Sequence, residues 1–299
     1  MKYFVRIGVL AVSAALATSS FGILITSPAS ATAMVAAGLG AAPAGVTVTS
    51  ATYNGADVAT ATYKQLAFAP LNSIARGLLM TTGDASLAAG PNTEDSAGLD
   101  NGGPMQTFTN YDGVNSVDLF NVATLTINFD VLSATNLSFD FSFGSEEYYY
   151  YTNSPFDDSF FAFLDGGTKT LALDKNGLPI TIDNQFLTID NRPDYFDPTN
   201  GFGLPDRPGT GTPEGIAELQ YDGFTQVLRT SFNVGAGSHS LVFVIGDAGD
   251  PVLDSGVFIS NILGPGSGGE DTDPVPEPSS MIALGLGALA MLKRRAAKN

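Results

Sequence analysis

Alternating apolar and polar residues in the middle of the chain predict a series of half-buried β-strands. The alternation is clearest over residues 124–131, where Leu, Ile, Phe and Val occupy every second position, and over residues 137–143. A period of two places the apolar side chains on one face of a sheet. The small and polar residues 133–136 predict a hairpin between these two strands. Shorter runs of the same kind predict further strands at 160–164, 181–189, 225–234, 241–245 and 257–262.

The strand pattern and the composition together predict one all-β domain over residues 45–263. The chain has 299 residues, including 34 Gly and 17 Pro, and its 20 Phe and 10 Tyr supply large core side chains. Many turn residues between short strands favour an antiparallel β-sandwich, which we expect to be jelly-roll-like. The chain has no Cys, so disulfides cannot stabilise it. We expect a short apolar helix at each terminus, outside this domain.

The N-terminus predicts a signal peptide over residues 1–33. A basic start and an apolar run at 7–16 are followed by small residues. This order is typical of a secretory leader, so we expect export and removal of the leader by signal peptidase. Cleavage is expected after Ala33, and Ala31 satisfies the same small-x-small rule. The alternative is an uncleaved membrane anchor. Residues 34–44, which are rich in Ala and Gly, form a lead segment that connects this region to the domain.

Three features follow one another at the C-terminus, behind a Gly/Ser-rich and acidic linker at 264–274. They are a Val-Pro-Glu-Pro motif, an apolar segment at 281–292 and a basic end. As a helix the apolar segment spans only about 18 Å, against the ~30 Å hydrocarbon core of a bilayer. We therefore expect transient insertion into the inner membrane with the basic end on the cytoplasmic side, and a simple short membrane tail is the alternative. The residues of the motif and of the basic end are Val275, Pro276, Glu277, Pro278, Lys293, Arg294 and Arg295.

This terminal arrangement, over residues 275–299, resembles the PEP-CTERM sorting signal. The resemblance implies recognition by an exosortase, which removes the tail. It further implies an exported protein that reaches the cell envelope surface or the extracellular matrix of a Gram-negative bacterium.

The charge balance excludes nucleic acid as a partner. The chain has 13 Lys and Arg against 30 Asp and Glu, a net charge of −17, which repels phosphate backbones. Residues 34–275 alone hold seven basic and 29 acidic residues, which leaves a net charge of −22. The exported part is therefore more acidic than its precursor, and cations are its expected counter-charges.

Acidic residues gather where the predicted strands begin and end, and this placement predicts a calcium site. Ca²⁺ takes about six to eight oxygen ligands, and carboxylates on neighbouring loops can supply them. Without a cation, these acids would repel one another. The alternative is that they accept hydrogen bonds from the backbone of turns. The candidate ligands are Glu146, Glu147, Asp157, Asp158, Asp247, Asp250 and Asp254.

Several short segments of the domain, in order along the chain, carry a family resemblance. They are Gly-Leu-Leu-Met-Thr-Thr-Gly-Asp at 77–84, Ala-Ala-Gly-Pro-Asn at 88–92, Phe-Gly-Ser-Glu-Glu-Tyr at 143–148, Phe-Asp-Asp-Ser-Phe at 156–160, and the stretches 221–228 and 246–255. With these segments the domain resembles the choice-of-anchor L family over roughly residues 45–262. The sequence departs from the family pattern at Asp157, where Asn is more usual, and in its run of tyrosines at 149–151. Members of that family are bacterial surface or secreted proteins that differ in their anchoring tail, which agrees with the sorting signal described above.

Together these features predict a structural or adhesive surface protein rather than an enzyme. The chain has one His, and it contains no nucleophile-elbow, zinc-protease or phosphate-loop motif. One alternative is a calcium-dependent carbohydrate-binding module that contacts extracellular polysaccharide through Tyr149 and Tyr151. The second alternative is a glycoside hydrolase, in which Glu146 would work with Asp157 or Asp158 as the carboxylate pair.

Overall fold

The computed structural model describes residues 22–66, 69–93, 97–148, 150–184, 188–191 and 218–266 of the chain. These residues form fourteen β-strands, one α-helix and three short 3₁₀ helices. The strands build two antiparallel sheets that enclose a shared core, so the predicted all-β sandwich is confirmed. The predicted apolar helices at residues 7–16 and 281–292 lie outside the described residues.

The first sheet contains eight strands. They are β1 (Leu24–Thr26), β3 (Thr60–Lys64), β4 (Arg76–Thr81), β7 (Thr135–Ser145), β10 (Thr188–Asp190), β11 (Gly223–Thr225), β12 (Leu228–Val234) and β14 (Ser255–Pro265). Their hydrogen-bonded order is β1-β3-β4-β14-β7-β11-β10, and β12 also pairs with β7. The long strands β7 and β14 therefore form the middle of this sheet.

The second sheet contains six strands. They are β2 (Val46–Asn54), β5 (Gln106–Thr109), β6 (Ser116–Val131), β8 (Ser159–Leu164), β9 (Ile180–Thr181) and β13 (Gly237–Ala248). Their order is β2-β6-β13-β8-β9, and β5 also pairs with β6. The chain crosses between the two sheets from β6 to β7, from β12 to β13 and from β13 to β14. Strands far apart in sequence thus end at the same end of the sandwich.

The predicted hairpin between residues 124–131 and 137–143 is wrong, because these two strands lie in different sheets. β6 pairs with β2, β5 and β13, whereas β7 pairs with β11, β12 and β14. The residues between them form an arch over the core rather than a hairpin turn. A short polar connection can join two strands of one sheet or two strands in different sheets. The strands alternate between apolar and polar residues in both cases, so local sequence does not distinguish them.

Aromatic side chains from both sheets fill the space between them. Phe139 of β7 meets Phe243 of β13 edge to face, with ring centroids 4.9 Å apart. Phe141 lies 5.1 Å from Phe160 of β8. All four rings are fully buried, so the inward positions of the predicted strands are core positions as expected.

Strand β7 is buried on both faces, although its alternating sequence predicts one exposed face. Its polar residues Ser138, Asp140 and Ser142 are at most 3% exposed. The neighbouring strands β11 and β12 supply partners on this face, and the Ser142 hydroxyl donates to the carbonyl of Thr225 at 2.7 Å. Arg229 neutralises Asp140 through two hydrogen bonds of 2.6 and 2.9 Å. The polar residues of this face are therefore satisfied by other protein groups rather than by solvent.

The folded domain begins well before residue 45, where the sequence pattern places its start. β1 and the helix α1 (Ala31–Gly38) precede that point and pack on the first sheet. Among the described residues, no helix combines the length and the apolar character that crossing a bilayer requires.

Candidate carboxylate site

One end of the sandwich collects four strand termini, and most of the predicted acidic ligands lie there. β7 ends beside the start of β14, because Ser145 pairs with Ser255. β13 ends beside the start of β8, where Gly246 pairs with Ser159. The loops that carry the acids follow or precede these pairs directly. The antiparallel registers thus explain why residues a hundred positions apart in sequence become neighbours.

Asp158 connects the strand termini at this end of the molecule. Its side chain is fully buried, and its two oxygens accept hydrogen bonds from the Ala248 amide at 2.9 Å and from the Ser255 hydroxyl at 2.7 Å. It therefore links the end of β13 to the start of β14. Burial raises the pKa of Asp158 to about 7, although these hydrogen bonds favour the charged form.

Glu147 and Asp247 share this buried environment with Asp158. Burial, followed by the charges of Asp158, Asp247 and Asp250, raises the pKa of Glu147 to about 11. Burial and then the charge of Asp158 raise the pKa of Asp247 well above its usual value. Both residues are at most 2% exposed, and within the described residues Glu147 Oε2 and Asp247 Oδ1 have no hydrogen-bond partner. We call Glu147, Asp158 and Asp247 the carboxylate cluster.

Asn121 is a member of the site that sequence reasoning missed. Its amide donates to Asp247 Oδ2 at 3.1 Å, and its own oxygen accepts from the Gly103 amide. The register of β6 and β13 shifts at this point, and Asn121 adopts a left-handed backbone with φ of 47°, which Asn tolerates better than most residues. The one available signal was an Asn within an otherwise apolar stretch of a strand.

Three of the other predicted ligands accept hydrogen bonds from backbone amides. Asp254 accepts from the Leu99 amide at 2.8 Å, and burial raises its pKa to about 7. Asp157 is half-buried and accepts from the Asp183 amide at 3.0 Å. Asp250 accepts from the Val252 amide two residues along, also at 3.0 Å. Of these contacts, that of Asp250 is a local turn hydrogen bond of the kind the alternative interpretation expects, whereas the other two join segments far apart in sequence.

Glu146 is buried beside the cluster, and its backbone amide donates to the Asp254 carbonyl at 3.0 Å. The structure therefore brings Glu147, Asp158 and Asp247 together, with Glu146 and Asp254 as close neighbours in the fold. Across the described part of the chain, no group of three or more His, Asp or Glu side chains is arranged to hold a metal ion. Two oxygens of the cluster have no hydrogen-bond partner among the described residues, but the cluster does not form a ligand set.

The remaining predicted site residues contribute little to this end of the molecule. Tyr149 and the sorting residues at 275–278 and 293–295 lie outside the described residues. Tyr151 is half-buried and packs edge to face on Phe156, with centroids 5.6 Å apart. His239 lies elsewhere on the surface of the second sheet, where its Nδ1 contacts Asp165 at 2.8 Å and its Nε2 contacts the Gly235 carbonyl at 3.1 Å. Both of its ring nitrogens thus have partners.

The fold and its acidic end define a β-sandwich module that is joined to a C-terminal tail. Residues 26–262 match the family model of the choice-of-anchor L domain, so the chain belongs to that family. Residues 274–296 match the PEP-CTERM protein-sorting motif. No curated protein and no solved structure matches the chain significantly. The sorting signal indicates an exported cell-surface protein of a Gram-negative bacterium that an exosortase processes.

Proposed function

We propose that this protein is a non-catalytic structural or adhesive component of the envelope surface or extracellular matrix, and that Ca²⁺ stabilises its sandwich. The observation that carries the proposal is the carboxylate cluster. Three acids that are at most 2% exposed share one site, and two of their oxygens have no hydrogen-bond partner within the described residues. An exported protein meets calcium outside the cell, where modules of modest affinity are effective.

The chemistry of these side chains fits a hard cation. Carboxylate oxygens are the ligands that Ca²⁺ prefers, and Asn121 adds a neighbouring amide group. The charges that raise the pKa of Glu147 are all those of other carboxylates, so a divalent ion would remove the repulsion among them. The proposal requires rearrangement of side chains, because the present positions do not form a ligand set. Glu147, Asp158 and Asp247 are the residues that would hold the ion.

Thermal unfolding of the exported protein tests this proposal. We expect Ca²⁺ at about 100 times its Kd to raise the Tm by about 5–10 °C relative to a chelated sample, because a ligand that binds only the folded state stabilises it. The double variant Glu147→Gln, Asp247→Asn should fold and lose this response. Calorimetric titration with Ca²⁺ should show heat for the natural protein and none for the variant.

The matched control is Asp130→Asn, an exposed acid that pairs with Ser238 at the far end of β13. This variant loses one negative charge but leaves the cluster intact, so its calcium response should equal that of the natural protein. An equal response in all three proteins would show that Ca²⁺ acts by general screening and would contradict the proposal. A natural protein whose Tm is the same with calcium and with chelator contradicts it as well.

The adhesive role has its own readout. Cells that produce the Glu147→Gln, Asp247→Asn variant should attach to surfaces less well than cells with the natural protein, at equal amounts of exported protein. If cells that lack the protein attach as well as cells that produce it, the structural or adhesive role is contradicted. The proposal that the protein binds calcium would still stand.

The two alternatives have less support from the structure. Both matched families are sorting and structural rather than enzymatic families. Glu146 and Asp158, which a carboxylate-pair hydrolase would need, are at most 1% exposed. The ring of Tyr151 packs against Phe156. The structural role therefore accounts for more of the observations than either sugar cleavage or sugar binding does.

A further inference from the structure

The first strand and the first helix are built into the sandwich although they lie within the region predicted as leader and lead. Leu24, Ile25 and Thr26 of β1 pair with Lys64, Tyr63 and Thr62 of β3 in antiparallel register. Ile23 is 8% exposed and packs with Ile25 against the cluster that contains Tyr63 and Phe258. β1 thus completes the edge of the first sheet and covers part of its outer apolar surface.

The connection from β1 to the helix is fixed to the fold as well. The Ala29 amide donates both to the carbonyl of Thr60 at 3.2 Å and to its hydroxyl at 3.0 Å. Ser30 caps α1, since its hydroxyl accepts from the Ala33 amide at 3.2 Å. A Ser at this position satisfies one of the free amides at the start of a helix. The helix therefore needs the residues that precede Ala33.

Helix α1 supplies side chains to the main core. Met34 is fully buried and Val35 is 5% exposed, and both pack with residues of the two sheets. A Cβ atom at Gly38 would lie only 2.8 Å from Ile262 Cδ1, so the helix approaches β14 closely. The Gly40 amide, just beyond the helix, donates to the Ile262 carbonyl at 2.8 Å. The segment is thus held from Ile23 to Gly40.

Cleavage after Ala33 would remove all of β1, the helix cap Ser30 and the first three residues of α1. It would expose the apolar surface around Tyr63 and leave a helix too short to persist alone. The family match begins at residue 26, so it independently assigns the cap Ser30 and all of α1 to the domain. Only a cut before Ile23 leaves every one of these contacts intact.

We propose that signal peptidase cuts this precursor before Ile23, within residues 17–22, and that the exported protein keeps β1 and α1. Ala15-Leu16-Ala17 supplies the small-x-small pattern at the end of the apolar run. The Ala31-Thr32-Ala33 sequence has the same local pattern, but in this chain it forms the first turn of a packed helix.

N-terminal sequencing and intact mass of the exported protein test the position. A first residue between Thr18 and Ile23 supports the proposal. A first residue at Thr32, at Met34 or later overturns it, as does an exported protein that retains Met1.

A matched pair of variants gives a second readout. A large side chain directly before the cut blocks signal peptidase. Ala33 is exposed on α1, so Ala33→Tyr should fold and be processed like the natural precursor, with at most a twofold change in the ratio of mature protein to precursor. If sequencing places the first residue at Thr18, Ala17→Tyr should lower that ratio at least tenfold. For a later cut before Ile23, the same loss is expected from Tyr at the residue that directly precedes that cut. The reverse order, with more precursor for Ala33→Tyr than for Ala17→Tyr, overturns the proposal.

Discussion

In a chelated, calcium-free buffer, the exported protein should be less stable at pH 7 than at pH 5, by about 5 kcal/mol or more. The groups responsible are those of the carboxylate cluster, in which burial raises the pKa of Glu147 to about 11 and that of Asp247 well above its usual value. Asp158 and Asp254, each with a pKa raised to about 7 by burial, add to the effect. Chemical denaturation at several pH values measures it.

The sign follows from where the protons are bound. A carboxyl whose pKa is higher in the folded state keeps its proton at a pH where the unfolded chain has released it. Raising the pH therefore favours the unfolded chain, by about 1.4 kcal/mol per pH unit for each such group. The stabilising contribution is complete below the unfolded pKa of about 4 and is lost as the pH rises through the folded pKa. Asp165, whose pKa is lowered by its hydrogen bond to His239, acts in the opposite direction but is exposed.

The double variant Glu147→Gln, Asp247→Asn is the control for this pH profile. It replaces two of the four titrating groups, those with the most strongly raised pKa, with neutral side chains of similar shape, so the loss of stability from pH 5 to pH 7 should shrink by more than half. Saturating Ca²⁺ should oppose the loss in the natural protein, because metal ions compete with protons for carboxylates. A natural protein that becomes more stable from pH 5 to pH 7 in chelator would show that the cluster is not protonated in the fold.

Replacing Arg229 with Met should lower the free energy of unfolding by about 3 kcal/mol. Arg229 binds Asp140 through two hydrogen bonds, and Asp140 is 3% exposed in the middle of the first sheet. Without Arg229 the carboxylate loses its counter-charge and, among the described residues, keeps the 3.3 Å contact with the Asn261 amide alone. An uncompensated buried charge costs more than the pair gains, and Arg229 itself is 26% exposed, which places the estimate at the lower end of the usual range.

The double variant Arg229→Met, Asp140→Leu distinguishes the stabilisation by the ion pair from the cost of leaving one buried charge unpaired. It removes both charges and puts apolar groups in their place, so most of the stability should return. The free energies come from chemical denaturation of the natural protein, the single variants and the double variant in one cycle. A single Arg229→Met variant as stable as the natural protein would mean that Asp140 finds sufficient solvent or another partner.

The strands were predictable from the sequence, but their partners were not. Alternation places Leu125, Phe129 and Phe141 in the core correctly, because burial on one face leaves a period of two. The same alternation predicts solvent for Asp140, which is buried and neutralised by Arg229 of β12, a strand far along the chain. The hairpin failed for a related reason, since pairing depends on residues that local sequence does not include.

The N-terminal segment shows another limit of local sequence. Ala31-Thr32-Ala33 consists of small residues, which suit both a peptidase site and a helix that packs closely on a sheet. Composition does not separate the two, and the burial of Met34 and the pairing of β1, on which the proposed cut before Ile23 rests, depend on strands far along the chain.

The site was predicted in part. The acids lie at strand ends as predicted, and Glu147, Asp158 and Asp247 form the buried cluster, with the charges of Asp250 and Asp254 acting on it from outside. Which acids come together depends on how the strands pair, for example on the register shift in β13 that places Asp247 beside Asn121. The spacing of residues in the sequence does not predict such a shift.

The position of β14 has a mechanical consequence. The sorting tail leaves the domain from the C-terminal end of this strand, which is hydrogen-bonded to β4 on one side and to β7 on the other. Hydrogen bonds in a sheet run across the strands, so tension applied along the tail loads many of them together in shear. An edge strand such as β1 would instead be peeled away one bond at a time. Force on the C-terminus of the processed protein is thus transmitted to the middle of the sheet, where resistance to extension is greatest.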